Sequence, residues 1–153
     1  GKGNLLNLTK VASIIKYNSH ENRDISKVLL CVDSECTKPE ETRRQIEPKE
    51  SELQRSFPSL PVRYVIVDHS LEGWLLQDRE SLRKMLARDA QLYKYGNPED
   101  DCRPAELLGQ VFRHSGLDYK KTMHAPRLAD RLNIETVAKA SQTFRAFRQA
   151  ITD

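Results

Sequence analysis

Lys27-Val28-Leu29-Leu30-Cys31-Val32-Asp33-Ser34-Glu35 sets the architecture. An unbroken apolar run of this length, bounded by a cation and two acids, reads as a strand buried on both faces, the pattern of parallel sheets. Val62-Arg63-Tyr64-Val65-Ile66-Val67 repeats the signal. Between them, Pro39 opens a charged helix over about 39–56, with proline in its first turn and several Glu residues suited to the helix dipole. Pro48 lies inside that helix and predicts a kink or two pieces. Upstream, Leu5, Leu6, Leu8, Val11, Ala12, Ile14 and Ile15 recur at helical spacing, with an end expected by Asn18 and Ser19. The order helix, strand, helix, strand, helix implies parallel strands joined by right-handed crossovers.

The rest of the chain reads as helical. Leu71, Trp74 and Leu75, then Leu82, Met85 and Leu86, mark a helix pair, with Asp78 placed to cap the second piece. Residues 94–103, rich in Gly, Asn, Pro and Asp, form a loop. Pro104 opens a helix ending near His114. The tail, 126–151, carries an apolar face of Leu128, Leu132, Val137, Phe144, Phe147 and Ile151, with Ser141 as cap of the last helix. No repeat, heptad or low-complexity tract interrupts this plan.

A chain of 153 residues is the size of one domain with one core. Charged residues at 31% and hydrophobic ones at 38% exclude disorder. A net charge of +3 permits a nucleic-acid partner without demanding one. No apolar run reaches the roughly 18 residues of a membrane span, and no basic-then-apolar leader reads as a secretory signal. The odd number of cysteines, 3, argues against a disulfide framework and for a reducing compartment, hence the cytoplasm. The first residue, Gly1, points to a start inside a longer product.

Candidate chemistry gathers where the strands end. In open parallel sheets, ligands bind beyond the carboxyl ends of strands. Asp33 and Glu35 stand two apart just past the first strand, which in extended backbone turns both carboxylates to one side. Oxygen-rich sites of this kind suit Mg²⁺ or another hard cation. Glu72 and Asp78 follow the second strand around Trp74-Leu75-Leu76, and Glu72 is placed to approach Asp33. The same residues also serve as ordinary turn acids, a core tryptophan and a cap.

Those residues carry a resemblance. The pattern of strand and Asp33-x-Glu35, second strand, Leu71-Glu72-Gly73-Trp74-Leu75-Leu76-Gln77-Asp78, Tyr119-Lys120-Lys121 and Ser141-x-x-Phe144-x-x-Phe147 is similar to domain-of-unknown-function family 4276. That family is related to Toprim domains, the metal-binding fold of topoisomerases, primases and the overcoming-lysogenization-defect nucleases. The similarity runs from about Gly1 to Ile151, and the Glu72–Asp78 string is its most specific part. It implies a single Toprim-like (Rossmann-like) three-layer α/β domain over 1–153, with a mostly parallel sheet and a helical C-terminal part. It makes Asp33 and Glu35 the Toprim acidic pair and Glu72 the glutamate of a Glu-x-Trp motif.

The chain departs from that pattern in two ways. Toprim proteins normally begin with a strand ending in a glutamate that acts as general acid or base, whereas Gly1-Lys2-Gly3 resembles the segment after it. The second acid is Glu35 where Asp is commoner. The resemblance therefore leaves two readings open. One is a nucleic-acid phosphodiester hydrolase or binding domain for DNA or RNA. In it Asp33, Glu35 and Glu72 hold Mg²⁺ or Mn²⁺, Glu72 is the candidate catalytic residue, and Lys120 and Lys121 neutralise a phosphate. The other is a non-catalytic regulatory or binding subunit beside an ATPase in phage-defence or DNA-maintenance systems. A structural α/β domain whose acids are turn residues is the bland alternative to both.

Further cations, Arg127, Arg131, Arg145 and Arg148, crowd the last third and serve equally as phosphate contacts or as a solvated helix face. Cys31, Cys36, His69 and His124 form a weak zinc alternative. No phosphate-binding glycine loop and no nucleophile elbow is present.

Overall fold

Side chains alternate faces along a strand, so a sheet covered on both sides needs apolar residues at both parities. A computed structural model of the chain describes residues 6–21, 24–86 and 93–153. Its elements in order are α1 (Leu8–Glu21), β1 (Val28–Asp33), α2 (Pro39–Ser56), β2 (Val62–Val67), α3 (Leu71–Gln77), α4 (Arg79–Leu86), α5 (Pro104–His114), α6 (Lys121–Ala129), α7 (Ile134–Ala140) and α8 (Gln142–Thr152). A 3₁₀ turn, Pro98–Asp100, lies in the loop expected over 94–103. Leu5 and Gly1-Lys2-Gly3 lie outside the described residues.

The two strands pair in parallel, Val28 opposite Val62 through to Asp33 opposite Val67. One face of this sheet, carrying Val32, Val62, Tyr64 and Ile66, packs on Val11 and Ile15 of α1 and Ile46 and Leu53 of α2. On the other, Val67 joins Trp74, Val137, Ala138 and Phe144, with Cys31 and Phe147 against them. Helices thus flank both faces. A separate helical cluster, built from Leu75, Leu76, Leu82, Leu107, Leu108, Phe112 and Leu128, extends the domain away from the sheet.

The caps behave as their chemistry dictates. Asn7 Oδ1 accepts from Lys10 N (3.1 Å) at the start of α1. Asp78 accepts from Ser81 N (3.1 Å) and Ser81 Oγ (2.6 Å) before α4. Ser141 Oγ accepts from Phe144 N (3.1 Å) before α8. Asp78 also accepts from Asn133 N (2.7 Å), tying α4 to the start of α7. Burial opposes its charge, but these donors outweigh that and hold the carboxyl below its usual 3.8.

Several expectations need correction. The described residues are mostly helical, and their sheet has two strands. β1 is largely half-buried, with only Val32 fully covered, whereas β2 is buried at all positions but Arg63. α2 runs through Pro48 as one helix, the missing amide costing a single hydrogen bond. α1 continues past Ser19 to Glu21. The C-terminal part is three helices, and the first of them, α6, begins at Lys121, ahead of the expected start at 126.

Two of the cysteines pair despite their odd number. Cys36 and Cys102 are joined as a disulfide, with Cys31 left free. The inference of a reducing compartment therefore loses its premise. No described helix is long and apolar enough to cross a membrane.

The bridge closes a separation of 66 residues. Chain entropy alone gives such a closure about 4 kcal/mol. Reduction, or Cys36→Ser, is expected to lower unfolding free energy by up to that amount in urea melts. Identical melts with and without a dithiol would show that the pairing contributes nothing.

Candidate functional site

Beyond the last strand residues, the parallel ladder continues into the loops. Ser34 N donates to Val67 O (2.9 Å) and Glu35 N to His69 O (2.9 Å). Glu35 and His69 both adopt left-handed backbone, with φ of 55° and 54°. Such conformations are uncommon for residues other than glycine and persist where the surroundings fix them. Here the fixing groups are specific. Buried Ser34 Oγ accepts from His69 N (2.8 Å). The His69 ring sets Nδ1 at 2.5 Å from Glu35 O and Nε2 at 3.1 Å from Glu99 O. The Cys36–Cys102 bridge fastens the same turn to the segment before α5.

This clasp aims the strand-end acids. Glu72, second residue of α3, is 1% exposed. Ser70 Oγ donates to its Oε2 (2.9 Å), and Lys121 Nζ stands 2.7 Å from its Oε1. The contact is a close ion pair. Burial pushes the carboxyl up, but Lys121, the residue's own backbone amide and Ser70 outweigh it and hold Glu72 below its usual 4.5.

Asp33 is the opposite case. Burial raises its carboxyl above the usual 3.8, and the negative charges of Glu72 and, more weakly, Glu35 add to the rise. Lys121 and the Leu71 amide oppose these effects without cancelling them. Asp33 and Glu72 therefore lie near enough to interact electrostatically. Tyr119 stands by the same carboxylate, and burial together with the Glu72 charge pushes its phenol up to about 12.

The structure thus brings Asp33, Glu72 and Lys121 together. Glu35 is exposed, and its left-handed backbone breaks the extended geometry that the Asp33-x-Glu35 spacing presupposes. Among the described residues, no group of three or more His, Cys, Asp or Glu side chains is placed to hold a metal ion. A two-carboxylate set remains, and a hard divalent cation commonly takes one or two protein carboxylates. Zinc at Cys31, Cys36, His69 and His124 is excluded as drawn, because the Cys36 sulfur belongs to the disulfide.

Lys120 is exposed beside the site, its amide donating to His124 Nδ1 (2.8 Å). Arg145 and Arg148 are engaged elsewhere, Arg145 Nη1 donating to Ala138 O (2.7 Å) and Arg148 pairing with Glu135 (2.7 Å). Sequence reasoning missed Ser34, Ser70 and the bracing role of His69. Ser70, two residues before Glu72 at a helix start, carried a legible signal as an N-cap type.

The two carboxylates should respond oppositely to neutralisation. At neutral pH, Asp33→Asn is expected to be neutral or to stabilise by up to about 1 kcal/mol, since it removes a charge the site disfavours. Glu72→Gln should cost about 1–2 kcal/mol, below the figure for a fully buried pair because Lys121 is 63% exposed. Glu72, with its lowered value, stabilises the fold above the ordinary glutamate range, and that contribution fades as pH falls through the lowered value. Asp33, with its raised value, contributes fully below the ordinary aspartate range and loses that contribution as pH rises through the raised value. Urea melts across acidic to neutral pH read both signs; Asp33→Asn falling below Glu72→Gln at neutral pH would contradict the assignment.

No curated protein and no solved structure matches the chain. A family does match, over residues 6–152, which is nearly the whole sequence. The chain belongs to the family described as Domain of unknown function (DUF4276).

Proposed function

We propose that the chain is a Toprim-like α/β domain that takes Mg²⁺ or Mn²⁺ at Asp33 and Glu72 and binds a nucleic-acid phosphodiester beside it. The observation that carries this reading is a pair of interacting carboxylates at the strand ends, one of them 1% exposed, balanced by a single ammonium group. Strand carboxyl ends are where open α/β sheets place their ligands. The buried Glu72 Oε1, held by the exposed and displaceable Lys121 ammonium, suits a metal ligand. Glu35, exposed on the adjoining turn, would join only through a change in its side chain.

When bound, such an ion supplies Lewis-acid polarisation of a phosphate oxygen. The chain's own groups do the rest. Asp33 and Glu72 orient the site, Ser70 holds Oε2 of Glu72, and Lys121 moves its ammonium from Glu72 to a phosphate oxygen. Lys120, exposed at the start of α6, adds a second phosphate contact. A second reading is favoured by one observation: no third carboxylate joins the pair among the described residues. On that reading the domain holds nucleic acid without cutting it, as a regulatory or binding subunit of an ATPase-linked system.

Calorimetric titration with Mn²⁺ tests the site. Wild type should bind, Asp33→Asn and Glu72→Gln should lose at least about tenfold in affinity, and Lys121→Met should bind more tightly because the competing ammonium is gone. Equal affinity in wild type and Asp33→Asn would rule out the assignment. A plasmid-nicking assay in Mn²⁺ then separates hydrolase from binding domain: nicking abolished by Asp33→Asn supports the first, and metal binding without nicking supports the second.

A further inference from the structure

Four donor groups line one flank of α6 and the turn that follows. Lys121, His124, Arg127 and Arg131 are spaced three, three and four residues apart, the spacing of helical neighbours. One end of this line is the ion pair with Glu72. The other opens into a cleft of about 340 Å³, lined by Met85, Leu86, Phe112 and Leu117 together with His124, Arg127 and Arg131. No acid lines it.

The cleft has an apolar side and a cationic one. Phe112 is fully buried and packs at a tilt of 43° on the His124 ring, with 4.8 Å between centroids. Leu117, at the mouth, is among the exposed large apolar residues. His124 Nδ1 already accepts the Lys120 amide (2.8 Å), which puts the ring hydrogen on Nε2 as a donor. Arg127 and Arg131 carry no ion pair or side-chain hydrogen bond among the described residues, unlike Arg145 and Arg148, which are held within the fold. Two unengaged guanidinium groups beside an apolar slot match a flat ring bearing a phosphate.

We infer that this cleft is a nucleotide subsite. A base enters against the His124 ring and Leu117, Arg127 and Arg131 hold its phosphates, and the strand runs along α6 toward Lys121. The ligand is single-stranded, because a base inside a duplex cannot leave its stack to fill the slot without loss of pairing. The direction of the strand rests on the phosphodiester reading above; the subsite itself does not require the carboxylate pair.

Fluorescence anisotropy with a labelled single-stranded oligothymidylate, in EDTA so that no metal contributes, tests the subsite alone. The Arg127→Ala/Arg131→Ala variant should bind on the order of tenfold more weakly. Its dependence of log K on log salt should flatten by roughly 1.4, about 0.7 for each single-strand phosphate that is no longer neutralised. Leu117→Asp, at an exposed position, should weaken binding while leaving the melt unchanged, and Arg148→Ala should bind as wild type. A duplex of the same length should compete poorly. Wild type that fails to bind, a double-arginine variant that binds as tightly as wild type, or a duplex that competes equally overturns the proposal. Because Mn²⁺ titration of the double variant should match wild type, failure here and failure of the carboxylate site are separable.

Discussion

A carboxylate with one-hundredth of its surface in water stays charged only if the protein replaces the lost hydration. Glu72 meets that demand through three groups from separate parts of the chain: its own amide at the start of α3, Ser70 before it, and Lys121 far along the sequence. The first two are local, but Lys121 must be brought there by folding, and it comes as the first residue of α6. The ion pair therefore fixes where α6 begins against α3. From that short helix the neighbouring residues reach two cores. Trp74 packs edge-on to Phe144 at 5.0 Å and donates from Nε1 to Thr143 (3.0 Å), while Leu75 and Leu76 enter the helical cluster. One helix of seven residues thus joins the sheet to the helical part while holding the buried charge.

Asp33 owes its place to a different device. A strand that simply ended would leave its terminal acid to swing with the loop. Here Ser34 is buried and bonded to both backbone and side chain of the opposite turn, and His69 reaches two carbonyl oxygens with its two ring nitrogens. The disulfide adds a covalent tie one residue beyond Glu35. Two left-handed residues are sustained by this bracing. Rigid presentation of a partly buried acid is what keeps its repulsion with Glu72 from relaxing into solvent.

What the sequence reveals, and what it hides, follows from the range of each signal. Both strands, α2 and α5 are legible because apolar runs and prolines act locally, and Asp78 and Ser141 are legible as caps for the same reason. The burial of β1 is not, since it depends on how closely distant helices cover the strand. The start of α6 is hidden because Lys120 makes no side-chain cap. Glu35 carries neither Gly nor Asn to announce left-handed backbone, so the Asp-x-Glu spacing suggests an extended geometry that the turn does not have. Cys36 and Cys102 meet across 66 residues, a pairing that an odd cysteine count cannot disclose. Of the candidate site, Asp33 and Glu72 are readable from their positions after strands, whereas the Lys121 partnership exists only in three dimensions.

The unequal fates of the two acids say something about the charge balance between them. Lys121 and the amides suffice for Glu72, which is held low, and do not suffice for Asp33, which is driven up. Two carboxylates facing one ammonium leave an excess of one negative charge in a place where solvent screens poorly. Had the site evolved only to pack, an amide at position 33 would accept the Leu71 hydrogen bond without that penalty. The one compensating cation also sits on a long side chain that is mostly in water, so it can leave at modest cost. An uncompensated acid beside a displaceable ammonium is the feature on which the proposed cation site rests, and it distinguishes this pair from the closed, fully bonded cap that Asp78 forms a few residues away.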